Sequence, residues 1–132
     1  MAVSEQNVLG GPLEPCGMDP VTGFFRDGCC RPDPQGVSTH LVCAVVTEEF
    51  LEHQQSIGND LTTPRLQYGF PGLTPGDRWC VTAPNWLRAY QDGAASFVVL
   101  ASTSARALQI VPLTALRERA VDVPPDAAAL EE

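Results

Sequence analysis

Two stretches of the chain, Leu41-Val-Cys-Ala-Val-Val46 and Phe97-Val-Val-Leu-Ala101, are apolar at successive positions rather than alternate ones and carry several β-branched residues. Runs of this kind, too short for a buried helix, read as strands covered on both faces, and they predict the centre of a sheet. Trp79-Cys-Val-Thr82 and Leu108-Gln-Ile-Val111 carry a weaker form of the same signal, and Phe24-Phe25 reads as a short edge piece before a turn at Asp27-Gly28.

Helical spacing appears in three other places. Thr47 stands where an N-cap belongs, Glu48 and Glu49 suit the positive end of a helix, and Phe50, Leu51, Gln54 and Ile57 then recur on one face until Gly58. A second helix is predicted from Pro84, with Trp86, Leu87 and Tyr90 on one side and a stop at Gly93. A third, from about Leu113 to Ala120, buries Leu113, Leu116 and Ala120 and exposes Arg117, Glu118 and Arg119. The regular strand–helix spacing and glycine fingerprint of a nucleotide fold are missing. The expected class is therefore α+β: a small mixed sheet with three or so short helices and two long ordered loops.

Those loops, 10–39 and 59–77, are broken by proline and glycine yet carry anchors such as Phe24, Phe25, Leu66, Tyr68, Phe70 and Leu73. Long connections inside a small domain are uncommon and often functional. The chain has 132 residues, 44% of them hydrophobic and 18% charged, which fits one globular domain over 1–121. Residues 122–132, alanine-rich and acidic, are expected to form a disordered tail.

Charge narrows the chemistry. All eight basic residues are arginine, against sixteen acidic ones, for a net charge of −8. Without lysine there is neither a P-loop amine nor a Schiff base, and the acidic balance repels nucleic acid and acidic membranes. The N-terminal residues lack the apolar run of a signal peptide, and no stretch approaches the roughly 20 apolar residues of a membrane helix. A soluble, cytoplasmic protein is expected. Its five cysteines (Cys16, Cys29, Cys30, Cys43, Cys80) are then expected to be thiols, with Cys43 and Cys80 as small core residues.

Candidate chemistry concentrates in the loops. Arg26, Asp27, Asn59, Asp60, Asp77 and Arg78 sit at turns or beside strands, with Trp79 and His40 close by in sequence. Arginine offers a planar fork for carboxylate or phosphate, so one reading is a pocket where both loops converge on His40 and bind a small polar or anionic ligand, or a protein segment. In that reading Arg26 and Arg78 hold negative charge, Asn59 and Asp60 orient the ligand, and Trp79 supplies an apolar wall. The competing account is that these aspartates and arginines merely hold the turns in shape. A thiol-dependent enzyme using Cys30, flanked by Arg26 and Arg31, with His40 as base is the catalytic alternative; a protein-interaction module without catalysis is the third. Cysteine spacing without a C-x2-C pair argues against a metal, and no cofactor is expected.

The blocks NVLGGPLEPCGMDPVTGFFRDGCC at 7–30, THLVCAVVTEEFLE at 39–52, GNDLTTP at 58–64 and FPGLTPGDRWC at 70–80 together resemble a mostly bacterial family catalogued as domain of unknown function 2237. The resemblance covers 7–120 and places Cys16, Cys30, His40, Cys43, Asn59, Asp60, Asp77, Arg78, Trp79 and Cys80 within the family's characteristic motifs. It implies a domain boundary rather than an activity. Members often read W-C-x-C where this chain has Trp79-Cys80-Val81-Thr82, and many have a threonine–histidine pair where Thr103-Ser104 stands.

Overall fold

A computed structural model describes residues 6–17, 22, 28–31, 39–64, 67 and 72–122. The two apolar runs become neighbouring strands, as their pattern requires. Strand β1 (His40–Val45) is central, β2 (Arg78–Thr82) lies on one side and the two-residue β3 (Phe97–Val98) on the other, all antiparallel in the order β2-β1-β3. Parallel pairing, the other half of the expected mixed sheet, appears among the described residues as one bridge between Val98 and Ala120. The expected edge piece at Phe24-Phe25 lies outside the described residues.

Alternation divides the buried residues between the sheet's two faces. Val42, Ala44, Trp79 and Val81 join Phe50, Trp86, Leu100 and Leu116 in the main core, beneath the helices. Cys43, Val45 and Cys80 join Cys16, Cys30 and Val99 in a second, smaller cluster. Helix α1 (Glu48–Ser56) starts where Thr47 Oγ1 accepts the N–H of Phe50 and buries Phe50, Leu51 and Gln54. Helix α2 (Ala83–Gln91) follows β2 directly, because Thr82 serves both as the last strand residue and as the N-cap that accepts the N–H of Asn85. Trp86 is fully buried and donates its indole N–H to Ser96 O, which satisfies the one polar atom that burial of a tryptophan would leave exposed to apolar surroundings. Helix α3 (Leu113–Glu118) is the shortest and buries Ala115 and Leu116.

Two expectations need correction. The run after Phe97 does not continue as a strand: the chain turns into a 3-10 segment at Leu100–Ser102, whose leading N–H groups on Leu100 and Ala101 donate to the Asp122 carboxylate. Asp122, grouped with the tail by composition, is thus held against the domain. The stretch 108–111 is not a strand either, since Ala105–Gln109 forms a 3-10 helix capped by Ser104. Apolar content there reflects burial of Ala107 and Val111 rather than extended backbone.

The second long loop folds back on itself at Gly72. Its φ of +83° is a left-handed conformation, and a Cβ there would run into the Thr62 carbonyl oxygen. Gly58 has a similar φ of +89° with open space around it. Alanine at Gly58 is therefore expected to cost about 1 kcal/mol, whereas Gly72→Ala, which also displaces backbone, should cost at least about 2 kcal/mol. Urea denaturation of the two variants checks the order.

Candidate functional site

The smaller face of the sheet holds a sulfur centre. Cys43 and Cys80 stand directly opposite each other in the β1·β2 ladder. The N–H of Cys43 donates to Thr103 Oγ1 at 3.1 Å and its carbonyl accepts the N–H of Val99 at 2.9 Å, so both of its backbone groups point away from β2. The pair is consequently a non-hydrogen-bonded one, the kind in which facing side chains approach most closely. On the outer side of β2, the N–H of Cys80 donates to Thr22 Oγ1 at 2.7 Å. A buried threonine thus fixes the backbone of each cysteine.

Loop segments cross this face and add two more sulfurs. Cys16 is bonded to Cys43 and Cys30 to Cys80, with Cα separations of 5.6 and 5.2 Å, and none of the four is more than 1% exposed. The sulfurs of Cys16, Cys30 and Cys80 all lie within 4.8 Å of one another, so the two bridges are in contact. Cys29 stands outside both bridges. The expectation of five thiols, with Cys43 and Cys80 as inert ones, is therefore overturned: register, not sequence spacing, gathers the sulfurs. Cys30, the candidate nucleophile, has its sulfur committed to Cys80 and buried, so it presents no thiolate in this form.

The other candidates fall in several places. Arg26 and Asp27 lie outside the described residues. His40, half-buried, opens β1 opposite Thr82, where a bulge interrupts the register before Val42. Asn59 closes α1, its side-chain amide donating to Gln54 Oε1 at 2.8 Å. Asp60 accepts the N–H and hydroxyl groups of both Thr62 and Thr63. Those hydrogen bonds, led by the Thr63 hydroxyl, hold the Asp60 carboxyl well below the usual carboxylate range. Asp77 accepts the N–H and hydroxyl of Thr74 in a second turn of the same kind. Arg78 is exposed, and Trp79, 6% exposed, packs within the main core. The two aspartates and Asn59 thus spend hydrogen-bonding capacity on their own turns.

Two clefts border these elements. One, about 370 Å³, runs between α1 and the second loop, with Leu51, Leu73 and Pro75 below and Glu48 and Glu52 at the rim. The other, about 450 Å³, is lined by Tyr90, Gln91, Gly93, Ala95, Glu118 and Arg119 where the end of α2 meets the end of α3. Here the Arg119 guanidinium lies over the Phe97 ring at 4.4 Å, while its Nε is buried without a hydrogen-bond partner. Tyr90 donates its hydroxyl to Glu118, and this carboxylate, with some desolvation, raises the phenol above its ordinary value. His53 ties α1 to the end of α2 through Asp92 at 2.7 Å.

The model of a family described as uncharacterized proteins conserved in bacteria, domain of unknown function 2237, matches residues 6–120. The chain belongs to this family. The match takes in all five cysteines and both clefts of this family member, and it ends at the residue that bridges to β3. No curated protein matches the chain in sequence.

Two outcomes follow from this geometry. Alkylation of the native chain without reductant should modify Cys29 alone, and peptide mapping should recover the pairs 16–43 and 30–80; loss of either bridge should cost about 3–4 kcal/mol by loop-closure entropy. For Asp60, whose folded-state carboxyl titrates below its unfolded value, the stabilisation is complete above the unfolded value and disappears as pH falls through the folded one. Asp60→Asn should accordingly be less stable than wild type at neutral pH, and the gap should close as denaturation is repeated at falling pH below about 4.

Proposed function

We propose that the domain is a binding module for a small polar ligand bearing an acidic group, seated in the cleft between α2 and α3. The observation that carries this reading is the Arg119 guanidinium, a permanent cation among the residues that line the cleft, whose Nε makes no hydrogen bond within the chain. An anionic oxygen in the cleft would meet that charge with charge-assisted hydrogen bonds. Tyr90 remains a hydroxyl donor through the neutral range, and Glu118, which holds that hydroxyl, would favour a ligand with a hydrogen-bond donor of its own. The groove beside α1 suits an anion poorly, because Glu48 and Glu52 stand at its rim.

A pocket shared by the two long loops, with Arg26, Arg78 and His40 around it, is the second form of the same reading. The groove that 72–75 builds against α1 draws on the second of the two loops alone, with neither His40 nor Arg78 in its wall, so this form rests on the sequence reading. Catalysis by Cys30 and His40 would require reduction of the Cys30–Cys80 bridge first. Cytoplasmic residence would favour that reduction. Among the described residues no helix is long and apolar enough to cross a membrane.

Thermal melting in the presence of a panel of small carboxylates and phosphate monoesters tests the leading form. A member of the panel should raise the melting temperature, and Arg119→Gln should abolish that rise while its ligand-free melting stays within a few degrees of wild type. A panel without effect, or a shift that survives Arg119→Gln, overturns it.

A further inference from the structure

Four sulfurs from four separate segments share one small, buried volume. We propose that the reduced form of this centre is a binding site for a single divalent cation of the zinc class, held by the thiolates of Cys16, Cys30, Cys43 and Cys80. The site is separate from the Arg119 cleft and does not depend on it.

The geometry is close to what such an ion takes. Zinc binds sulfur at about 2.3 Å in a tetrahedron, which puts the sulfurs about 3.8 Å apart. Three of the sulfurs are already within 4.8 Å of one another, and the fourth, on Cys43, is bonded to one of them, that of Cys16. Opening each bridge to the tetrahedral spacing moves sulfurs by an ångström or two. Cys43 and Cys80 lie on paired strands and have their N–H groups fixed by Thr103 and Thr22, while Cys16 and Cys30 lie on loop segments free of strand pairing. Two ligands are thus rigid and two adjustable.

Ligand chemistry decides the class of ion. Four sulfurs select zinc-like soft cations over magnesium or calcium, and burial to 1% or less leaves no room for a water in the shell, which makes this a closed, structural site. The missing C-x2-C pair is replaced by the Cys43·Cys80 cross-strand pair, which places two cysteines opposite each other on adjacent strands.

Formation of the site balances with an external dithiol as reductant. Two dithiol molecules donate four electrons and four protons, break both S–S bonds and leave as two cyclic disulfides. The four thiols then lose four protons as they take up one dication. The bridged and metal-bound forms are alternatives for one set of atoms, so the centre would exchange a covalent clasp for an ionic one as redox conditions change.

Cobalt(II) titration of the full-length chain on a Cys29→Ser background, reduced with a phosphine under inert gas, tests this. One equivalent of cobalt should bind with the intense sulfur-to-metal absorption of a tetrahedral thiolate complex, and zinc should bleach it. Further substitution by Cys43→Ser or Cys80→Ser should weaken uptake at least tenfold, whereas Arg119→Gln should leave it unchanged. If reduction alone unfolds the chain, zinc should restore the far-ultraviolet dichroism of the bridged form. A reduced chain that takes up no cobalt, an oxygen-type octahedral spectrum, uptake that survives Cys80→Ser, or a reduced unfolded chain that zinc does not refold would each overturn the proposal.

Discussion

The non-hydrogen-bonded pairing of Cys43 with Cys80 across β1 and β2 is the constraint on which the rest of the architecture turns. Because that register places both sulfurs on the face opposite the helices, the main core is left to Val42, Ala44, Trp79 and Val81 together with α1 and α2. Half of the sheet is covered by ordinary apolar packing. Among the described residues no helix covers its other half, and the segments around Cys16 and Cys30 lie there instead, clamped through their sulfurs. A chain of this size with two proline-broken loops gains from such clamps what helices would otherwise supply.

Around this centre the polar side chains mostly serve local geometry. Asn7 is 4% exposed and meets four partners, donating to Pro12 O and Ala101 O and accepting from Leu9 and Gly11, so the N-terminal turn is docked onto the 3-10 segment by one amide. Asp60 and Asp77 each close a turn through threonines, and Asp122 caps the segment at Leu100. Acidic composition, which reads as a solvated surface, is thus partly an inventory of backbone caps. Arg119 differs from these groups, because its guanidinium faces an aromatic ring and a cleft rather than a turn.

Legibility from sequence followed the length scale of the interactions. The α+β class, the β1 and β2 runs, the Thr47 cap, the first-turn glutamates and the end of α1 near Gly58 are local matters, and each appears as its residues imply. The apolar content of Val99 to Ala101 and of 108–111 suggests extended backbone, yet the distant Asp122 carboxylate holds the first turn of a 3-10 segment at Leu100–Ser102, and a 3-10 helix capped locally by Ser104 runs through to Gln109. The sulfur centre was not legible from spacing, since 27 and 50 residues separate the bonded cysteines. One signal for it did exist: aligning the two cysteine-bearing strand runs antiparallel brings Cys43 and Cys80 face to face. Thr22 and Thr103 carried no such signal, since a threonine that accepts from a distant strand looks like any other in sequence. The Arg119 cleft was likewise invisible, being made where α2 and α3 end against each other.

The two bridges also interleave along the chain. Cys30 lies inside the loop closed by Cys16 and Cys43, and Cys43 lies inside the loop closed by Cys30 and Cys80. Between residues 16 and 80, therefore, every peptide bond is spanned by at least one covalent cross-link, and those between 30 and 43 by both. A protease that nicked the backbone anywhere in that interval would cut the thread without separating the pieces, so the second long loop, and the first from Cys16 onward, could be cut with both fragments still joined.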